Sequence, residues 1–289
     1  MANIASWCVV GSLSVRHPRR FPLTPLHRCI LITPSLPSPH PLPPRPSCCP
    51  TVATVALFVV CKVFKIIPGK EALVIYPVVS SLSVTRCVWL ALAAVQDGTF
   101  MELSASRESR MYGSHAGFLV LAQTTFAYEI WNTLAAFVLP DYRTPQFIGH
   151  HVFTGTLAKL SQQPYLGFYG LFFFGLASIS TVSLNFVDLF RYGPPSLAQN
   201  LPAVNSFFRA LFGIKFILIR VFSWPLISVL FLMDVGGVII EGGDGKQRPW
   251  VAALFLVSNV GLTTLQFTWA GAIMKQLTGD KKPGDVKKN

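Results

Sequence analysis

Two adjacent histidines, His150 and His151, are the residues of this sequence best suited to chemistry, and they lie in the segment PQFIGHHVFTGTL. Neighbouring residues of a helix point about 100° apart, whereas two metal ligands on one helix are best spaced four residues apart. The pair therefore predicts no metal site. On chemistry alone we expect both histidines to lie at the membrane interface, among headgroups and loops. The alternative is that one histidine faces inward as a base or a hydrogen-bonding group, which suits imidazole, and that its neighbour meets another helix or the interface.

Other ionisable residues also lie within the predicted apolar helices, among them Glu129, Arg220 and Asp188. Glu129 lies near the middle of its predicted helix, in TTFAYEIWNTL, and we expect a structural ion pair with Arg86 or Arg220. The alternative for Glu129 is proton transfer. Arg220, in FILIRVFSWP, is expected to snorkel or to pair with Glu129, and the alternative is that it holds a lipid phosphate or carboxylate. Asp188 is expected to face the membrane boundary.

The composition is that of a membrane protein. Of the 289 residues, 52% are hydrophobic and 12% are charged, and the mean hydropathy is +0.51, whereas soluble domains carry about 25% charged residues. These values exclude a cytosolic enzyme, a disordered tail protein and a disulfide scaffold, and the six cysteines lack zinc-site spacing. The net charge of +12 resides in loops and at both ends of the chain, which indicates topology signals and contact with anionic lipids and no nucleic-acid partner.

Apolar segments separated by short polar loops follow one another from residue 52 onward. Most reach the length of about 20 residues that crosses a bilayer, and the fourth is marginal. We therefore predict an all-α fold, a polytopic transmembrane helical bundle with six or seven spans. A glycine-rich hairpin is expected after the sixth helix, and the aromatic residues of the fifth are interpreted as lipid-facing. The seven predicted helices are residues 52–67, 72–95, 113–139, 146–162, 165–190, 207–233 and 250–274.

The two ends of the chain differ in composition from the segment between them. Residues 1–50 contain half of the 22 prolines, five arginines and no acidic residue, which predicts a disordered or transit-peptide-like extension. The transmembrane domain is expected over residues 52–275, and residues 276–289 form a basic tail. Nine lysines and arginines lie on the side of this tail and five on the other, which predicts that the tail is cytosolic.

The stretches AYEIWNTLAAFVLPDYRTPQFIGHHVFTGTLAKL and FYGLFFFGLASISTVSLNFVDLFRYG resemble the TLC-domain family. This family groups translocation-associated membrane proteins, ceramide synthases and other lipid-related membrane proteins. The resemblance covers residues 72–275 and implies a helical membrane fold, with the endoplasmic reticulum as the expected location. A plastid or another organelle is the alternative if the N-terminal extension is a transit peptide.

The resemblance also implies that the ceramide-synthase site is incomplete. HHVFT agrees with the HHxxT motif of the synthases, but the three carboxylates that follow it in the family fall on Ser178, Thr181 and Asn185. A hydroxyl cannot replace a carboxylate as a base near neutral pH, because its pKa is too high. SISTVSLN instead resembles the non-synthase members, as do Tyr128 and Glu129, which match a tyrosine–acid pair of those members.

Three functions follow as hypotheses. The first is lipid homeostasis, in which the protein binds or senses a membrane lipid without transferase chemistry and needs no cofactor. The second is a divergent acyl-CoA-dependent N-acyltransferase, which requires the Glu129 carboxylate to reach a histidine; the third is a transporter. Membrane lipids, with sphingolipid or acyl-CoA among the candidates, are the expected partners, and a homo-oligomer is left open. The candidate lipid or polar-core residues are Arg86, Tyr128, Glu129, His150, His151, Ser180, Thr181, Asn185 and Arg220, and the candidate catalytic residues are His150, His151 and Glu129.

Overall fold

The computed structural model describes residues 71–113, 115–163, 165–242, 246 and 248–277, together with Thr54 and Leu57. The predicted extension (1–50) lies outside these residues, as do most of the first predicted span (52–67) and the tail beyond residue 277. Nine helices and no β-strand occur in the part of the chain that is described, which confirms the all-α prediction. The helices are α1 (Glu71–Gln96), α2 (Thr99–Ser104), α3 (Arg107–Tyr112), α4 (Ala116–Val138), α5 (Pro145–Leu160), α6 (Gly167–Tyr192), α7 (Pro195–Asn200), α8 (Pro202–Ile240) and α9 (Pro249–Leu277).

The six long helices run alternately between two ends of a bundle. At one end, which we call the tail end, helices α1, α5 and α8 begin and α9 ends. The short helices α2 and α3, which we call the strap segment, lie at the other end, the strap end. Side-chain hydrogen bonds join neighbouring helices in antiparallel order. These bonds are Tyr76–Asn132 and Ser80–Tyr128 between α1 and α4, Ser80–Asn185 between α1 and α6, and Tyr169–Asp234 and Arg220–Ser180 between α6 and α8.

Four of the described helices, α1, α6, α8 and α9, are long and apolar enough to cross a membrane. Helix α5 has 16 residues, which is shorter than the span of about 20 residues, in agreement with its marginal prediction. Helix α8 has 39 residues and is therefore about 58 Å long at 1.5 Å per residue. All six predicted helices that fall in the described residues are observed, so a helical membrane bundle is confirmed, while the span count of six or seven stays a prediction.

Helix α8 continues past the point where the sequence predicts a hairpin. The predicted helix ends at residue 233, but the observed helix continues through Asp234, Gly236 and Gly237 to Ile240. Asp234 is held by Arg110 and Tyr169, and a Cβ atom on Gly237 would come within 3.3 Å of the Arg107 guanidinium. Contacts from the distant strap segment therefore stabilise a helical turn that glycine alone disfavours.

The aromatic residues of α6 are mostly buried, contrary to the lipid-facing interpretation. Leu166 and its neighbours pack against the strap segment, since the Leu166 amide donates to the Met111 carbonyl and Phe100 packs on Phe168 with ring centroids 4.7 Å apart. A segment of α2 and α3 thus covers a face that the sequence assigned to lipid. Tyr165, Phe168, Tyr169, Phe172 and Phe174 are buried, and Phe173 is partly buried.

Gly175 lets α1 and α6 approach each other closely. A Cβ atom at this position would lie 2.2 Å from the Ala91 Cβ, with the Cys87 carbonyl oxygen at 3.3 Å. We expect Gly175→Ala to destabilise the protein by about 1–3 kcal/mol, because both helices would have to move apart. Gly213→Ala is the matched control, because no atom lies within 4 Å of its added Cβ and alanine favours the helix. Thermal unfolding of the purified variants in detergent tests this, and equal stability of the two would contradict the close contact.

Candidate functional site

Two adjoining cavities lie inside the bundle. The apolar cavity, of about 100 Å³, is bordered mainly by aromatic and aliphatic residues such as Phe173, Phe231 and Phe255. The polar cavity, of about 440 Å³, extends towards the tail end, where Tyr142, Asp188 and other polar residues border it. Five residues border both cavities and define their junction: Tyr128, His150, His151, Thr181 and Arg220. The two cavities share this wall, and the one towards the strap end is the more apolar of the two.

The Glu129 carboxylate contacts His151 at the junction. Oε2 of Glu129, on α4, hydrogen-bonds Nδ1 of His151, on α5, and both side chains are buried. Gly155 makes this close approach of α4 and α5 feasible, because a Cβ there would lie 3.1 Å from the Glu129 Cβ. Nε2 of His151 makes no hydrogen bond to a described residue. The carboxylate thus orients the ring and leaves Nε2 as the nitrogen available to a ligand.

This contact differs from the ion pair expected for Glu129. Arg86 borders neither cavity, and the Arg220 side chain bonds to other helices. Helix α5 packs directly on α4, so His151 is the partner within reach of Glu129. The requirement that the acyltransferase hypothesis placed on Glu129, contact with a histidine, is met.

His150 reaches the junction as well, from the next position on α5. Its ring packs edge-on against Trp269 of α9, with centroids 5.5 Å apart, and against His151 at 4.9 Å. Its Nδ1 atom is buried and has no hydrogen-bond partner among the described residues. Both histidines border the cavities because α5 lies between α4, whose Glu129 contacts His151, and α9, whose Trp269 packs on His150. His151 is buried and His150 is partly buried, so at least one of them faces the interior of the bundle.

Arg220 carries its charge into the junction without a carboxylate partner. Its guanidinium donates to Ser180 Oγ at 3.2 Å, Thr181 Oγ1 at 3.3 Å and Gln266 Oε1 at 3.5 Å, and it lies over the Trp224 ring at 5.2 Å. No Asp or Glu of the described residues lies within salt-bridge distance of it. A guanidinium held by neutral oxygens retains its attraction for an anion.

The remaining candidates divide between structural and cavity positions. Tyr128 and Asn185 bond to Ser80, at 2.8 Å and 3.1 Å, and so join α1, α4 and α6. Ser178 and Ser180 donate to backbone carbonyls of their own helix. Of the three positions that lack the family carboxylates, Ser178 and Thr181 border the apolar cavity and Asn185 borders the polar one. They therefore shape the wall of the site and supply hydroxyl and amide groups to it.

Sequence reasoning missed a charged network at the strap end. Arg110 donates to both carboxylate oxygens of Asp234, at 2.6 and 2.9 Å, and the Tyr169 hydroxyl donates to Asp234 at 2.5 Å. Because Tyr169 borders the apolar cavity, the network closes the end of that cavity that lies farthest from the polar cavity. Asp234 lies one residue beyond the predicted sixth helix, and no sequence pattern links it to Arg110, 124 positions away.

Two exposed ion pairs reinforce this network. Arg107 binds Glu241 through two hydrogen bonds, at 2.8 and 2.9 Å, and Lys246 contacts Glu108. The hydrogen bond from Arg107 holds the pKa of the Glu241 carboxyl below its ordinary value. Because the carboxyl pKa is lowered in the folded protein, the pair contributes its full stabilisation at pH values above the ordinary carboxyl pKa. This stabilisation is lost as the pH falls through the lowered pKa. The Arg107–Glu241 pair is therefore formed at neutral pH.

The fold and the site together define an integral membrane protein of helical type with an internal cavity that is apolar at one end and polar at the other. The model of the TLC domain family matches residues 71–275. The chain therefore belongs to the TLC domain family, a family linked to lipid metabolism, as the resemblance in its central segments indicates. No curated protein and no solved structure matches the chain at the significance that we required.

Proposed function

We propose that this protein binds an amphipathic membrane lipid in the joined cavities and acts in lipid homeostasis, with the endoplasmic reticulum as its location. The observation that carries the proposal is the order of the cavity lining. Apolar rings border one end, polar and charged groups border the other, and Arg220 with the two histidines lies between them. A lipid has the same order of parts: acyl chain, polar linkage and headgroup.

Unpaired polar atoms around the apolar cavity support a ligand that carries polar groups as well as a chain. Buried polar atoms are almost always hydrogen-bonded in folded proteins. Four buried atoms that border this cavity have no partner among the described residues: His150 Nδ1, Thr154 Oγ1, Ser161 Oγ and Asn259 Oδ1. Hydroxyl, ester or amide groups of a bound lipid would satisfy them.

Acyl transfer is the second candidate, and the Glu129–His151 contact favours it. In that reaction Nε2 of His151 takes a proton from the substrate amine while the amine nitrogen attacks the thioester carbonyl of acyl-CoA. The carbon–sulfur bond then breaks, and the departing thiolate receives the proton, so the imidazole is restored. Glu129 would hold the ring in position and stabilise the transient imidazolium. The site residues Ser178 and Thr181, which stand where the synthases have carboxylates, count against this reaction.

One preparation of the protein tests both functions. Membranes that contain the protein would receive a sphingoid base and acyl-CoA, and lipids retained by the purified protein would be identified by mass spectrometry. We expect retained lipid at a fixed ratio to protein and no acylated product above empty-vector membranes. His115→Ala, at the strap end and outside both cavities, is the matched control for His151→Ala.

The outcomes separate the two candidates. Acylated product that is lost in His151→Ala and kept in His115→Ala would replace lipid binding by acyl transfer as the function. A correctly folded protein that retains no lipid and forms no product would contradict both. Retained lipid without product supports the proposal, and lipid profiling of the same cells would then show which class changes.

A further inference from the structure

The polar cavity contains a second charged group, the Asp188 carboxylate, that makes no ion pair with any described residue. Asp188 lies on α6 near the tail end and borders this cavity, and its carboxylate accepts one hydrogen bond, from the Tyr142 hydroxyl at 3.3 Å. No Lys, Arg or His nitrogen of the described residues lies within 4.0 Å of it. Arg191, three residues further along α6, borders the same cavity and its charge acts on Asp188 from a distance, but Arg191 is exposed, makes no ion pair with Asp188 and has its guanidinium over the Tyr192 ring. A half-buried carboxylate in this situation attracts a cation.

Aromatic rings surround the Asp188 side of the polar cavity. Tyr142 is at the centre of this group, with ring centroids 4.4 Å from Tyr76, 5.3 Å from Phe147 and 5.8 Å from Tyr192. All four rings border the polar cavity. Aromatic faces next to a carboxylate form the usual binding site for an organic ammonium group, and above all for a quaternary one.

Asp188 and Arg220 are set apart by the length of a headgroup. Arg220 bonds to Ser180 and Thr181 of α6, and Asp188 lies two turns further along the same helix. At 1.5 Å per residue these positions are about 11–12 Å apart along the axis. A phospholipid headgroup with one hydrogen bond of about 3 Å at its phosphate and another at its ammonium spans a distance of this order.

We propose that the polar cavity recognises a zwitterionic phospholipid headgroup, with its phosphate on Arg220 and its ammonium between Asp188 and the rings around Tyr142. This inference rests on the proposed lipid-binding function and names the class of lipid. The phosphate lies at the junction of the two cavities, so the glycerol ester groups that follow it face the apolar cavity. The ammonium points to the tail end, where the polar cavity is bordered by loop residues Asp141 and Thr144.

Competition between four lipids with identical acyl chains tests the headgroup. Phosphatidylcholine, phosphatidylethanolamine, phosphatidate and diacylglycerol would be offered to the purified full-length protein, and bound lipid would be measured by native mass spectrometry. We expect the two zwitterionic lipids to bind about tenfold better than phosphatidate, as one charge-assisted hydrogen bond predicts, and diacylglycerol, which makes neither contact, to bind more weakly than phosphatidate. Asp188→Asn is expected to abolish the preference for zwitterionic lipids over phosphatidate. Arg220→Gln is expected to weaken the three phosphate lipids about tenfold and to spare diacylglycerol.

Two surface variants control for general effects of charge removal. Arg209→Gln removes a cation from α8 whose side chain bonds only to Asn205, and Asp97→Asn removes a carboxylate at the strap end that bonds to the Thr99 amide. Both are expected to bind the four lipids as the unaltered protein does. Equal binding of all four lipids, or an unchanged preference in Asp188→Asn, would contradict the headgroup assignment alone. Binding of none of the four would instead contradict the proposed lipid-binding function.

Discussion

Glu129→Ala is expected to lower the free energy of unfolding by about 3–5 kcal/mol, the usual effect of removing one partner from a buried pair. Glu129 and His151 are 5% and 7% exposed, so the pair lies away from bulk water. Nδ1 of His151 would remain buried without its partner, and the ring would lose the contact that orients it at the cavity junction. Unfolding of the purified protein by SDS in mixed micelles measures the difference.

Three companion variants show whether the effect comes from the contact itself. Glu129→Gln keeps an oxygen that can accept a hydrogen bond, so a smaller loss of about 1 kcal/mol is expected. Glu102→Ala removes an exposed carboxylate and is expected to change stability by no more than about 0.5 kcal/mol. The double variant of Glu129→Ala with His151→Ala is expected to lose less than the sum of the two single losses. Strict additivity would show that the two side chains do not interact.

The second large effect is expected at the strap end, where Asp234→Ala removes the acceptor of three hydrogen bonds. Arg110 and Tyr169 would both lose their partner, and the Arg110 guanidinium would remain partly buried without a counter-charge. The expected loss of stability is again about 3–5 kcal/mol. Because Tyr169 borders the apolar cavity, the same variant is expected to retain less lipid after purification. Unfolding by SDS and mass spectrometry of the retained lipid measure the two effects.

The exposed pair next to this network supplies the control. Glu241→Ala breaks the pair with Arg107, which lies in solvent, so its effect is expected to be far smaller and to vanish at high salt. Replacing both Asp234 and Arg110 by apolar residues, as in Asp234→Leu with Arg110→Met, is expected to restore much of the stability lost in Asp234→Ala. If the double variant is no more stable than Asp234→Ala, the loss comes from packing and not from the uncompensated charge.

The helical membrane fold was predictable because it depends on properties that are local in the chain. A run of about 20 apolar residues satisfies its own backbone hydrogen bonds as a helix, whatever its neighbours are. All six predicted helices in the described residues are therefore observed, and α5 is short as its sequence indicates. The family resemblance was predictable for a similar reason, since it depends on the two continuous stretches around the histidines and SISTVSLN.

Contacts between distant segments changed the interpretation of individual elements. The end of α8 passes through Gly236 and Gly237 because the strap segment supplies partners for Asp234. The aromatic residues of α6 are buried because the same segment covers Phe168 and because α8 packs on Tyr169, Phe172 and Phe173. A hydropathy pattern does not distinguish a ring that faces lipid from one that faces a neighbouring helix, since both environments are apolar.

The candidate site shows the same division between sequence and tertiary structure. Residue types and membrane depth were enough to select His150, His151, Glu129 and Arg220 from the sequence. Their partners were decided only by helix packing, which brings Glu129 to His151, leaves Arg220 on neutral oxygens and keeps Arg86 away from the cavities. The direction of a side chain inside a bundle depends on which helices are neighbours and on their relative rotation. Those quantities arise from packing across the whole domain, and no single segment of the chain contains them.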